Sequence, residues 1–155
     1  MTIKLNDSKR KLIEELAVLQ EGAGMQPASA RIMALLIVSD KTELSFEEVH
    51  ETLNMSKSAA SNALNFLLNT SKIEYVTRFG ERKRYFRVKL KSIKDEITKV
   101  LAGLETYNNI LKKILDQRPA GTKEFNSNLE EMISFNDFVG QELPALIDKW
   151  EKEKH

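Results

Sequence analysis

The sequence predicts a mainly α-helical fold that carries one small β-hairpin and ends in two long helices. Three observations lead there. Apolar residues recur at three- and four-residue spacing over most of the chain, the period of one helix face. Two short runs rich in β-formers, Ile73 to Thr77 and Arg82 to Val88, flank the pair Phe79-Gly80, where Gly80 can take the positive φ of a tight turn. After Leu90 the pattern becomes long, amphipathic and free of strand signals.

The elements follow in order. Ser8 to Glu21 reads as a helix through Leu12, Ile13, Leu16, Ala17 and Leu19, and Gly22 and Gly24 end it. Pro27 suits the first turn of a second helix reaching about Ser39. That helix is apolar nearly all round (Ile32, Met33, Leu35, Leu36, Ile37, Val38), so it should be buried and central. Asp40-Lys41-Thr42 makes a loop. Ser45-Phe46-Glu47-Glu48 is a capping box that starts a short third helix ending near Leu53. Asn54-Met55 turns the chain, and Ser56 caps a fourth helix from Lys57 to about Thr70. The hairpin comes next, then a helix from Ser92 to Gln117, a break at Pro119-Ala120-Gly121, and a last helix from about Asn126 to Lys152 in which Pro144 can impose a kink. Helix-turn-helix followed by a basic hairpin is the order of a winged helix. The expected organisation is a winged helix-turn-helix domain over 1–90, whose first helix can join a dimer interface, and a helical dimerisation region over 91–155.

Composition narrows the function. The 155 residues include no cysteine and only two histidines, His50 and His155. Disulfides, thiolate metal sites and cysteine nucleophiles are excluded, and no metal site or cofactor is expected. No Ser-His-Asp spacing or phosphate-binding glycine loop is present, so the chain does not read as an enzyme. The longest apolar stretch, Ile32 to Val38, is far short of the roughly 20 residues that cross a bilayer. Residues Met1 to Arg10 lack the apolar core of a signal peptide. The expected location is therefore the cytoplasm, with no membrane partner.

Charge localises the chemistry. Residues 54–90 hold eight cations and two anions, a net +6, so the rest of the chain carries −5 although the whole is only +1. A basic segment of this kind in a neutral chain points to a polyanion-binding surface. On the fourth helix Ala60, Ala63, Leu64, Leu67 and Leu68 should face inward, while Ser56, Lys57, Ser58, Ser61, Asn62 and Asn65 lie on the outer side without any acid. Asn can pair bidentately with adenine, Ser reaches phosphate or base edges, and Lys reaches guanine or phosphate. A helix that merely faces water mixes Glu with Lys, which this one does not. The hairpin tip offers Arg78, Gly80, Arg82, Lys83 and Arg84, the composition of a wing that lays arginine along phosphates or into a minor groove. A solubilised edge strand is the competing reading of those charges.

From Gly22 to Val88 the chain resembles the MarR-type winged-helix regulators, and among them the GbsR-like branch. The residues that carry the resemblance are Gly24 to Ile32 entering the central helix, Ser45 to Val49, Leu53 to Ser61 across the turn, and Gly80 to Phe86 in the wing. The resemblance implies a homodimer on double-stranded DNA at a pseudo-palindromic operator, acting in transcription regulation, as a repressor by occlusion. It also implies response to a small-molecule effector in some relatives. An aromatic cage for a quaternary ammonium would have to come from Tyr107, Phe125, Phe135, Phe138 and Trp150, with Tyr107, Phe135 and Phe138 the first choices, although such a stripe more often belongs to a helical core. Arg31 is expected to meet an acid across the dimer, and His50 to lie on the outer side of its helix. The last two helices carry more apolar surface than a pair can bury on itself, which a second subunit would cover. A winged-helix protein-interaction module without specific DNA binding is the alternative.

Overall fold

The computed structural model describes residues 2–90 and 93–154. Ser92, expected to open the fifth helix, and the terminal His155 lie outside the described residues. Contacts divide the chain into two compact units, Met1–Ser92 and Ile93–His155.

The first unit is built around α2 (Pro27–Val38), which starts on Pro27 and buries Ser29, Ala30 and Ile32 through Leu36. Ile37 is half-exposed, so the helix is apolar all round but buried on most sides only. Against it packs α1 (Asp7–Gly22), capped by Asn6, whose side chain accepts from the Lys9 amide at 2.8 Å. Only Ile13 and Ala17 of α1 are buried, while Leu12, Val18 and Leu19 stay exposed. The apolar arc of α1 is wider than the face α2 covers. Arg31, expected to reach across a dimer, pairs within the chain to Glu14 of α1 at 3.7 Å.

The sequence Ser45-Phe46-Glu47-Glu48 does form a capping box at the start of α3 (Phe46–Thr52). The Glu48 amide donates to Ser45 Oγ at 3.2 Å, and Glu48 Oε2 accepts from the Ser45 amide at 2.8 Å. Lys41 Nζ donates to the other Glu48 oxygen. His50 is half-buried with its ring 5.2 Å from that of Phe46, so it leans along its helix rather than standing free.

The turn into α4 (Lys57–Asn69) is a Schellman motif. Asn54 takes φ 51, the Met55 amide donates to His50 O at 2.9 Å, and the Asn54 amide to Glu51 O at 3.2 Å. The same device ends α1 at Gly24 (φ 96) and α4 at Ser71 (φ 57). Asn tolerates the left-handed region, which accounts for a sharp helix-turn-helix angle without glycine. Leu64 and Leu67 of α4, with Leu35 of α2 and Val49 of α3, then close the core.

β2 (Ile73–Thr77) and β3 (Arg84–Val88) pair antiparallel, from Ile73 with Val88 to Thr77 with Arg84. A two-residue strand, β1 (Leu44–Ser45), adds to the far edge of β3, giving the order β1-β3-β2. Nothing local in the sequence marks Leu44-Ser45 as a strand; it exists only because β3 offers an unpaired edge, and Ser45 still caps α3 as expected. β3 was expected from Arg82, but the ladder stops at Arg84 because residues 78–83 are taken up by the wing loop.

The second unit is a hairpin of α5 (Ile93–Gln117) and α6 (Lys123–Glu153). Ion pairs Lys94–Glu151 and Lys112–Asp137 run in opposite directions along the two helices, which are antiparallel. Its core is small: Leu111, Leu129 and Ile133, with Leu115 half-buried beside them. Asn108 is buried with both ends of its side-chain amide hydrogen-bonded. Its Nδ2 donates to Ile133 O at 3.0 Å and Asp137 Oδ1 at 2.8 Å, and its Oδ1 accepts from Asn136 at 3.1 Å. A fully satisfied buried amide fixes the register of two helices. Arg118 closes the connection through Nε to Asn126 Oδ1 at 2.8 Å. α6 begins three residues before the expected Asn126, since Lys123-Glu124-Phe125 carries no capping signal. Pro144 lies inside α6, which continues to Glu153.

Candidate nucleic-acid interface

Helix α4 has the two faces its sequence implies. Ala60, Ala63, Leu64 and Leu67 are buried, and Leu68 is half-buried. Ser56, Lys57, Ser58, Ser61, Asn62 and Asn65 are all exposed. Ser56 has a structural duty, because its Oγ accepts from the Ala59 amide at 3.1 Å as the N-cap. Its hydroxyl proton remains available. Lys57, Ser58, Ser61, Asn62 and Asn65 make no side-chain hydrogen bond or ion pair among the described residues, so their polar valences face solvent.

The wing closes through a turn at Arg78-Phe79-Gly80-Glu81. The Glu81 amide donates to Arg78 O at 3.0 Å, and Gly80 takes φ 82. A positive φ at the third residue alone is the type II pattern, which glycine serves best. The wing cations are not equivalent. Arg78 pairs with Glu43 and lies 4.1 Å over the Tyr85 ring, and the carboxylate holds its guanidinium even further above the ordinary arginine range. Arg84 lies 5.3 Å over the Tyr75 ring. Arg87 is matched across the strands by Glu74 at 2.6 Å. Arg82 and Lys83 are exposed and have no partner among the described residues.

Helix and wing face one groove of about 320 Å³. Ser61, Leu64, Asn65 and Leu68 line it from α4, and Arg82, Lys83, Arg84 and Phe86 from the wing. Phe46 and Glu47 of α3 complete the wall, so one acid stands at its edge. A concave wall with the Ser61 hydroxyl and the Asn65 amide on one side and cations on the other can hold a polyanion while presenting neutral polar groups to its interior.

Glu43, Tyr75 and Tyr85 brace the wing and were not among the expected site residues. Tyr85 is legible in the sequence as a strand residue of the wing, but its contacts with Arg78 and Glu81 are not. Glu43 is 35 residues from Arg78, and no local spacing reveals such a pairing. In the second unit Tyr107, Phe135 and Phe138 are exposed. The groove between α5 and α6 is lined instead by residues such as Leu101, Asn108, Asn136 and Asp137, with none of the three aromatics in its wall. Phe125 lies under the Arg118 guanidinium at 3.9 Å, and Trp150 under Lys154 at 4.9 Å. Among the described residues no cluster of three His, Cys, Asp or Glu could hold a metal ion, and no helix is long and apolar enough to cross a membrane.

No protein-family model matches the sequence, and no curated protein does. Among solved structures, the chain is similar to a transcriptional regulator with a TM-score of 0.73 and 19% identity, over 94% of this chain and 99% of that one. It is also similar to MepR of Staphylococcus aureus in complex with DNA, with a TM-score of 0.43 and 15% identity over 81% and 89% of the two chains. A third likeness is to a MarR protein from Peptoclostridium difficile, with a TM-score of 0.41 and 17% identity over 94% and 97%. The first of these likenesses, with six helices and a three-stranded antiparallel sheet among the described residues, establishes the winged-helix fold.

Proposed function

We propose that this chain is a DNA-binding transcription regulator of the MarR type, in its GbsR-like branch, and that it works as a homodimer on a pseudo-palindromic operator. The observation that carries the reading is the shared groove. Unpartnered Ser61 and Asn65 of α4 and unpartnered Arg82 and Lys83 of the wing line one concavity, and the outer face of α4 holds no acid. In this reading α4 enters the major groove, where Asn62 and Asn65 read base edges and Ser56, Lys57, Ser58 and Ser61 secure phosphates or base edges. Arg82, Lys83 and Arg84 lie along the backbone beside it, with Arg78 in reserve behind Glu43 and Gly80 shaping the tip. The GbsR-like affiliation rests on the sequence resemblance of residues 24–32, 45–49, 53–61 and 80–86.

Residues 1–90 are the DNA-binding domain and 91–155 the dimerisation region, with α1 joining the interface. The support is unpartnered apolar surface. α1 exposes Leu12, Val18 and Leu19, α5 exposes Val100, Tyr107, Ile110 and Ile114, and α6 exposes Phe135, Phe138, Leu146 and Trp150. Faces of this size on soluble chains mark interaction sites. The exposed Tyr107, Phe135 and Phe138 belong first to that interface, and an effector cage would have to be assembled from the same face. Two α4 helices about 34 Å apart would meet successive major grooves, and occupancy would occlude a promoter, making the protein a cytoplasmic repressor.

Selection from a pool of random duplexes tests the reading. Enrichment of a two-fold-symmetric sequence is expected. Recovery of an unenriched pool, with binding abolished at physiological salt, would leave a nonspecific binder, and no capture at low salt would favour a protein-interaction module.

A further inference from the structure

Phe79 stands out at the tip of the wing. Its exposure of 110% exceeds that of every other large apolar residue among the described ones, the next being Leu90 at 73%. A single exposed apolar side chain is ordinary on a protein surface. This one is different in how it is held. The Arg78–Glu81 turn hydrogen bond fixes the backbone on both sides of it. Arg78 is tied to Glu43 and lies over the Tyr85 ring, and Glu81 accepts from the Tyr85 hydroxyl at 2.8 Å. Tyr85 sits in the middle strand, paired with Ser45 on one side and Val76 on the other. Both flanks of Phe79 are thus anchored to the centre of the sheet, so the ring is projected from a braced mount with little ordering left to do on contact.

We infer that Phe79 is a wedge that the wing presses into a nucleic-acid minor groove, against the edge of a base step. The inference rests on the DNA-binding reading above and extends it to what the wing reads. An apolar ring on the same wing loop as the unpartnered Arg82 and Lys83 fits a surface with anionic walls and an aromatic interior. A minor groove has both: phosphates at its rims and stacked base edges within. Apolar side chains inserted there partly unstack a step and bend the duplex. Steps differ in how readily they yield, pyrimidine–purine steps such as TA and CA being the softest. The wing would then contribute sequence preference through deformability, in addition to the charge contributed by its arginines. An anionic lipid surface shares part of this chemistry. It does not account for the Ser61 hydroxyl and the Asn65 amide in the wall that the wing cations complete.

The test uses the full chain and a duplex selected by it, with 2-aminopurine placed at each step in turn. Wild-type protein should raise the fluorescence at one step in each half-site, and replacing that step by AA should weaken binding. Phe79→Ala should remove the fluorescence rise and the step preference and lower affinity about tenfold, the order of one lost stacking contact. Its salt slope should not change, since no charge is removed. Phe79→Leu should keep most of the effect, because leucine also wedges. Unchanged affinity and fluorescence in Phe79→Ala, with wild-type binding intact, would sink the wedge alone. Loss of binding to anionic phospholipid vesicles in that variant, with DNA binding unaltered, would also overturn it. A wild-type protein that binds no duplex at low salt would remove the DNA reading and the wedge together.

Discussion

The guanidinium of Arg78 at the base of the wing tip pairs with the carboxylate of Glu43, just before β1. A wing cation is thereby neutralised by the body of its own domain. Removing the acid should free it. Glu43→Ala is expected to change stability little, because the Arg78 end of the pair is half-exposed to water. On duplex DNA the same variant should steepen the dependence of log affinity on log salt by about 0.9, one additional phosphate contact. Titrations at four or more salt concentrations would check this, and an unchanged slope would mean that Arg78 stays on Tyr85.

The other wing cations should act in the opposite sense. Arg82→Ala together with Arg84→Ala is expected to weaken binding to all sequences alike and to flatten the salt slope by about 1.8, two phosphate contacts. Arg84 lies over the exposed Tyr75, so its loss should barely move the melting temperature. Thermal denaturation beside the titration separates the two effects.

Glu48 gives the first unit an acid-sensitive point. Burial raises its pKa, but the hydrogen bond from Lys41 and the capping bond from the Ser45 amide outweigh this and hold it below the ordinary 4.5. A carboxyl lowered on folding stabilises the fold above its unfolded pKa, and that contribution is lost as pH falls through the lower, folded value. Stability should therefore decline as pH drops below about 4.5. Glu48→Gln should be less stable at neutral pH and show a shallower decline in acid. Melting curves from about pH 3 to about pH 7, which bracket the ordinary carboxylate value, decide the point, and parallel curves for both proteins would place the acid sensitivity elsewhere.

The apolar faces of α5 and α6 predict assembly. Sedimentation at micromolar concentration should give a dimer. Phe135→Asp with Phe138→Asp places two charges on exposed positions of one α6 face, where they cost the single chain little. The double variant should be monomeric, keep its helix content and bind DNA much more weakly. A wild-type monomer would leave those faces without a role.

Much of this was legible in the sequence because the signals are local. The capping box at Ser45 and Glu48, Pro27 at a helix start, the N-cap Ser56 and the two faces of α4 each depend on residues within one or two turns. What escaped depends on partners distant in the chain. β1 exists only through β3, Arg78 is restrained by Glu43, and Arg31 pairs with Glu14 of the preceding helix. The wing loop shortened β3 because a ladder cannot continue where Gly80 turns the backbone at φ 82. Helix periodicity likewise marked Leu12 and Leu19 as apolar without showing that α2 covers only the neighbouring face carrying Ile13 and Ala17.

The central claim is sequence-specific DNA recognition by α4, and fluorescence anisotropy tests it most directly. The wild-type chain, Lys57→Glu and Asn62→Ala would be titrated onto the selected duplex and onto a random one, at low and at physiological salt. The wild type should bind the selected duplex tightly at both salts. Asn62→Ala should lose about 1–3 kcal/mol on that duplex and little on the random one, as expected for a base contact. Lys57→Glu should weaken both. Equal affinity of the wild type for the two duplexes, or an Asn62→Ala protein that discriminates as well as the wild type, would contradict the assignment of α4 as the reading helix.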